Sequence, residues 1–124
     1  MDLLVDTHAL AWMASGDRRL GRALIAALAD PDTRLFVSAV TAYEYADLQA
    51  RGRLPDAVDI AALQAAFGLH LLDYPAALWQ VAADLPDIHR DPVDRMTVAH
   101  ARALALTLVT ADRTIRRYPV ETLW

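Results

Sequence analysis

The sequence contains neither cysteine nor lysine. Without cysteine there can be no disulfide framework, thiolate metal site or cysteine nucleophile, and a protein of this kind is expected in a reducing cytoplasm. Without lysine, every mechanism that needs a side-chain amine is excluded, and all 12 basic residues are arginine. Glutamate is nearly missing too: of 16 acidic residues only Glu44 and Glu121 are not aspartate. The formal net charge of −4 argues against holding nucleic acid through a broad positive field, but not against reaching phosphates through a bound divalent cation. No uncharged apolar run approaches the ~20 residues of a membrane span, and Met1-Asp2-Leu3-Leu4-Val5-Asp6 puts acids where a signal peptide carries bases. A soluble protein with no membrane association is expected. Gly-x-Gly and Walker patterns are also missing, which leaves nucleotide cradling without support.

What is present fits one domain over residues 1–124, since the 124-residue length is enough for one sizeable core. Four short apolar runs read as buried strands: Leu3 to Val5, Leu35 to Val37, Leu69 to Leu72 and Leu106 to Val109, with a weaker one near Val120. Their continuous apolar character suits a parallel sheet covered on both faces. Between them, residues 18–29, 39–50, 57–67, 75–84 and 93–104 carry apolar side chains at helical spacing. Alternating strands and helices predict an α/β fold with a mostly parallel central sheet. Ligands of such sheets bind outside the carboxyl ends of the strands. Asp6 follows the first strand and Asp112 the fourth, so both reach one rim if those strands are neighbours.

Two further acids stand out. Glu44 lies in the almost uncharged stretch from Ser38 to Ala46, with no arginine at i±3 or i±4 on its own helix. Asp94 opens a helix that Asp91 can cap and Pro92 can start. Four carboxylates gathered in one pocket repel one another and raise each other's pKa unless a cation sits among them. Oxygen ligands select a hard ion, Mg²⁺ or Mn²⁺, and the matching chemistry is metal-assisted hydrolysis of a phosphodiester. Plainer structural roles compete at several positions. Asp112 can cap a short helix, Asp94 can complement a helix dipole, and Asp91 reads as a cap. His8, His70, His89 and His100 show no metal-ligand spacing and read as exposed or locally hydrogen-bonded. Trp12, Trp79 and Trp124 read as core or interface. The arginine clusters Arg18/Arg19/Arg22, Arg51/Arg53 and Arg113/Arg116/Arg117 fit RNA phosphates or solvated helix faces equally well.

Four segments in order, Leu3 to Trp12, Ser38 to Glu44, His89 to Arg95 and Val109 to Arg113, resemble the PIN-domain proteins, and more narrowly the VapC-type toxins of bacterial type II toxin–antitoxin pairs. The resemblance spans nearly the whole chain. It implies a three-layer α/β/α sandwich and Mg²⁺- or Mn²⁺-dependent endoribonuclease activity. Asp6 and Asp94 then match the main metal ligands and catalytic acids, Glu44 and Asp112 complete the site directly or through water, and Thr110 matches a hydroxyl that orients the pocket. Val93 and Tyr43 stand where related sequences often carry Phe and Trp. The resemblance further implies an RNA substrate, a cognate VapB-like antitoxin and a homodimer. Two other classes are weighed against it. Receiver domains and aspartyl-phosphate phosphatases also place acids after parallel strands around Mg²⁺, but they need a lysine, and His8 stands where such phosphatases carry their second aspartate. A non-catalytic PIN-like binding module would not require all four acids.

Overall fold

The computed structural model describes residues 1–54 and 58–124. The elements run β1 (Asp2–Val5), α1 (Thr7–Ser15), α2 (Arg22–Ala29), β2 (Arg34–Ser38), α3 (Ala39–Ala50), α4 (Ile60–Phe67), β3 (His70–Leu72), α5 (Leu78–Ala83), α6 (Pro92–Ala103), β4 (Thr107–Val109) and β5 (Thr122–Leu123), with a 3₁₀ turn at Ile115–Arg117. The five strands lie in the order β3-β2-β1-β4-β5, and every pairing is parallel. The sheet predicted as mostly parallel is thus parallel throughout.

Strand β1 shows why the apolar runs are continuous. Leu3 and Val5 pack into one buried cluster with Leu10, Met13, Leu24, Tyr45 and Leu63, while Leu4 faces the opposite cluster with Leu85, Val98, Ala101 and Leu108. Helices therefore cover both faces, and all three β1 side chains are fully buried, each contributing roughly 2 kcal/mol by removal of apolar surface from water. The chain has the α/β/α layering implied by the resemblance. Among the described residues no helix is long and apolar enough to cross a membrane.

Several boundaries differ from expectation for identifiable reasons. Helix α1 was not predicted. Asp6 starts it, its carboxylate accepting the Ala9 N–H at 2.8 Å, and left-handed Gly16 (φ 63°) ends it. The helix predicted over 18–29 begins only at Arg22, because Asp17 accepts the backbone and guanidinium N–H groups of Arg19 and folds residues 17–19 into a turn. Gly21 then passes so close to Trp124 that a Cβ there would meet the Trp124 carbonyl carbon at 2.2 Å. The helix predicted over 57–67 starts at Ile60 behind its Asp59 cap; Ala57 lies outside the described residues. Helix α5 covers only Leu78–Ala83 of the expected 75–84, and the weak last strand falls at Thr122–Leu123 rather than at Val120.

His100 also departs from expectation. It is neither exposed nor hydrogen-bonded: it is fully buried, both ring nitrogens lack partners, and the ring meets Tyr74 edge-on at 5.1 Å. Burial lowers its pKa below the ordinary 6.5, so the folded chain resists a proton that the unfolded chain accepts. Stability contributed in this way is present above pH 6.5 and is lost as the pH falls below it. The urea midpoint of the wild type minus that of His100→Leu should fall between pH 7.5 and 5.5; a constant difference would contradict this.

Candidate active site

The site arises from the strand order. Because β1 and β4 are adjacent, with Val5 opposite Val109, the residues that leave their carboxyl ends emerge together. The Asp6 N–H bonds the Val109 carbonyl at 3.2 Å. Thr110 then ties the two exits together. Its hydroxyl accepts the Asp112 N–H at 3.1 Å, which directs its own proton to the Asp6 carboxylate. Asp112 accepts the Thr114 N–H at 2.7 Å, so it supports a local turn while its second oxygen remains available.

Asp94 arrives from the other side of the rim. Asp91 caps α6 by accepting the Asp94 N–H at 3.1 Å, and Pro92 occupies the first helical turn. Asp91 is therefore the cap expected of it. Asp6, Asp94 and Asp112 line one cavity of about 250 Å³ together with His8, Trp12, Ala111 and Ile115. Glu44 is not among its lining residues. It approaches from α3, whose Thr41 hydroxyl meets that of Thr97 on α6 at 3.4 Å; Glu44 lies one turn beyond Thr41 and Asp94 one turn before Thr97. The structure thus brings three of the four predicted acids to one pocket and sets the fourth within electrostatic range of Asp94.

The electrostatics carry the signature of this crowding. Burial, then the charges of Asp91, Glu44 and Asp6, push the Asp94 carboxyl up to about 7, although His89 opposes them. Asp6, only 6% exposed, is also raised, first by burial and further by Asp112, against the pull of the Thr110 hydroxyl and the Ala9 N–H. Among the described residues no arginine pairs with Asp6, Glu44, Asp94 or Asp112; the arginine–carboxylate pairs are Arg19–Asp17, Arg34–Asp2 and Arg51–Asp47. A pocket of carboxylate oxygens without a fixed counter-charge fits a hard divalent cation.

One histidine is locally hydrogen-bonded as expected, its Nδ1 accepting the Asp91 N–H, yet it also faces the acids. His89 stands inside the constellation: its Nε2 lies 3.3 Å from Asp94 Oδ2 and 3.8 Å from Asp112 Oδ2. Ligand atoms of His89, Asp94 and Asp112 all fall within 4.8 Å of one another. A search for metal-ligand spacing among histidines misses it, because its partners are carboxylates, Asp94 at the start of α6 and Asp112 beyond β4. The local signal is Asp91, whose N–H reaches the His89 ring two residues back.

Next to the carboxylate pocket, sharing His8 and Trp12 with it, runs a cavity of about 440 Å³ that Arg19 and Arg53 also line. Arg19 lies over the Trp12 ring at 4.4 Å, and Trp12 meets Trp124 edge-on at 5.3 Å. Trp12 and Trp124 thus pack as expected, whereas Trp79 is 66% exposed.

A parallel α/β/α domain with a carboxylate pocket at the carboxyl ends of two adjacent strands places its acids where such sheets bind ligands. Residues 3–121 match the PIN domain family, and the chain belongs to it. Among curated proteins no sequence matches. Among solved structures, one of VapBC2 from Rickettsia felis, bound to a DNA fragment from its promoter, is similar at 16% identity and a TM-score of 0.74, covering 99% of this chain and 98% of that one. VapC20 from Mycobacterium tuberculosis, a toxin that cleaves the sarcin–ricin loop, is similar at 20% identity and a TM-score of 0.66, with 92% of each chain covered. A protein from Pyrobaculum aerophilum is 22% identical with a TM-score of 0.52, over 98% of this chain and 83% of the other. At these identities the likeness is one of fold.

Proposed function

We propose that this chain is a metal-dependent endoribonuclease and the toxin of a toxin–antitoxin pair. The observation that carries the reading is the convergence of Asp6, Asp94 and Asp112 on one cavity without an arginine partner, with the Asp94 carboxyl pushed up to about 7 by its surroundings. Membership of the PIN family and fold likeness to VapC20, a sarcin–ricin loop cleaving toxin, support the same class. Asp6 and Asp94 are the main candidates to hold Mg²⁺ or Mn²⁺, with Asp112 and Glu44 completing the site directly or through water. When bound, such an ion polarises a phosphodiester and acidifies a water molecule beside it.

The chain's own residues supply the rest. Thr110 holds the Asp6 carboxylate in place, and the cap of α6 fixes Asp94 at the pocket. Arg53, along the adjoining cavity, offers a guanidinium fork to the phosphates of an RNA leading into the site, whereas the Arg19 fork is held by Asp17. The partners proposed are a VapB-like antitoxin, in keeping with the VapBC2 complex from Rickettsia felis, and a second copy of this chain in a homodimer.

The reading is tested by incubating the protein with a labelled single-stranded RNA pool and Mn²⁺, with and without excess EDTA. Cleavage that needs the metal is expected, and equal cleavage in EDTA would exclude this mechanism. Binding alone should also register. Millimolar Mn²⁺ should raise the melting temperature by several degrees, because an ion that binds only the native state stabilises it by mass action and relieves carboxylate repulsion. An unchanged melting temperature would count against a shared cation site.

A further inference from the structure

The loop from the end of α5 to the start of α6 is held by an unusual clamp. Arg95 spends its guanidinium on main-chain carbonyls: Nη2 donates to Ala82 O at 2.8 Å and Leu85 O at 2.9 Å, and Nη1 to Pro86 O at 2.9 Å. Its Nη1 also reaches the Tyr118 hydroxyl at 3.3 Å. That hydroxyl accepts the His89 N–H at 2.8 Å and donates to the His89 carbonyl at 3.2 Å. Both main-chain groups of His89 are therefore tied to a phenol that is itself 3% exposed and set in the core.

The imidazole is fixed as firmly as the backbone. His89 Nδ1 lies 3.0 Å from the Asp91 N–H. A main-chain N–H can only donate, so Nδ1 carries the lone pair and the proton of the neutral ring sits on Nε2. That Nε2–H faces Asp94 at 3.3 Å and Asp112 at 3.8 Å. A ring locked in this tautomer has no lone pair to give a metal at Nε2. It is aimed at Asp94 among the carboxylates that would hold one, with Asp112 at ion-pair distance, as outer-shell contacts orient metal-binding side chains.

We propose that His89, gripped by Tyr118 and Arg95, is a positioning residue of this site: its Nε2–H gathers Asp94 from α6 and Asp112 from the β4 exit at one mouth. Its bearing on cation binding rests on the function proposed above; the tautomer and the clamp do not. The role explains why a histidine sits among acids without contributing a ligand atom, and why Arg95 has carbonyls rather than a carboxylate as partners.

The test is long-range ¹⁵N NMR of the histidine rings at pH 8 on metal-free wild type and Tyr118→Phe, with circular dichroism to confirm folding. The wild type should show His89 as a single Nε2–H tautomer, kept when Mg²⁺ is added. Tyr118→Phe should shift the His89 ring signals, because the main chain that carries the ring loses its tie, while the Asp91 N–H still holds Nδ1. Mn²⁺ affinity should fall roughly tenfold in His89→Ala and largely return in His89→Gln, whose amide N–H can stand in for Nε2–H. An Nδ1–H tautomer in the wild type, loss of the Nε2 proton on adding Mg²⁺, an unchanged His89 signal in folded Tyr118→Phe, or undiminished Mn²⁺ affinity in His89→Ala would each overturn the role. Failure of the wild type itself to bind either ion would sink the metal reading instead, leaving the tautomer and Tyr118→Phe results to decide this one.

Discussion

Asp94→Asn is expected to abolish RNA cleavage while making the metal-free protein more stable. The two effects share one cause. Burial and the charges of Asp91, Glu44 and Asp6 raise the Asp94 carboxyl from 3.8 to about 7, so in the absence of a cation the ionised side chain opposes folding. The sign follows from proton uptake: between pH 3.8 and about 7 the folded chain holds a proton that the unfolded chain releases, and stability falls as the pH rises through this window. Above it the loss is complete. One pKa unit corresponds to ~1.4 kcal/mol; allowing for the 24% exposure of the carboxylate, Asn in its place should gain on the order of 2 kcal/mol at pH 8. The stability of the variant relative to the wild type in EDTA should rise between pH 4 and 7. Cleavage should fall roughly 100-fold or more, since a metal's polarisation of phosphate is worth several kcal/mol and each 1.4 kcal/mol is tenfold. Urea unfolding in EDTA and cleavage of labelled RNA in Mn²⁺ measure the two. A variant that is less stable at pH 8, or that cuts at the wild-type rate, would contradict the argument.

The sequence revealed most of this arrangement where one physical signal dominated. The runs at Leu3, Leu35 and Leu106 are apolar on both faces because helices cover both sides of the sheet, and the strands follow within a residue. Asp91-Pro92 marks the start of α6 because a capping carboxylate and a proline at the first turn have few other uses. Helix α1 escaped for the opposite reason. Ala9, Leu10 and Met13 are buried, and Ala11 and Ala14 pack against the same core, so no broad polar face produces a helical period; only the Asp6 cap betrays the start. Glu44 stood out in the sequence as a carboxylate without a local arginine. Its position just outside the cavity depends on how α3 crosses α6 at Thr41 and Thr97, which spacing along the chain does not encode. His89 was set aside because its meaning lies in how the loop before α6 packs against the exit of β4, which spacing along the chain does not encode.

Asp6 offers the sharpest separation of fold from the proposed function, because one carboxylate both caps a helix and lines the acidic cavity. Its oxygen caps α1 by accepting the Ala9 N–H, and the same side chain lines the cavity with Asp94 and Asp112. Asn retains an oxygen that can cap but removes the charge, whereas Ala removes both. Asp6→Asn should therefore fold with stability equal to or above the wild type in EDTA, since burial penalises the ionised form, and should lose cleavage and the Mn²⁺-induced rise in melting temperature. Asp6→Ala should lose the same functions and, relative to Asp6→Asn, about 1 kcal/mol for the missing cap. The comparison isolates the two roles: the difference between Asn and Ala reports the cap, and the difference between Asp and Asn reports the charge. If Asp6→Asn kept its response to Mn²⁺, the carboxylate would be a cap alone, and the cation would have to be held by Asp94 and Asp112 without it.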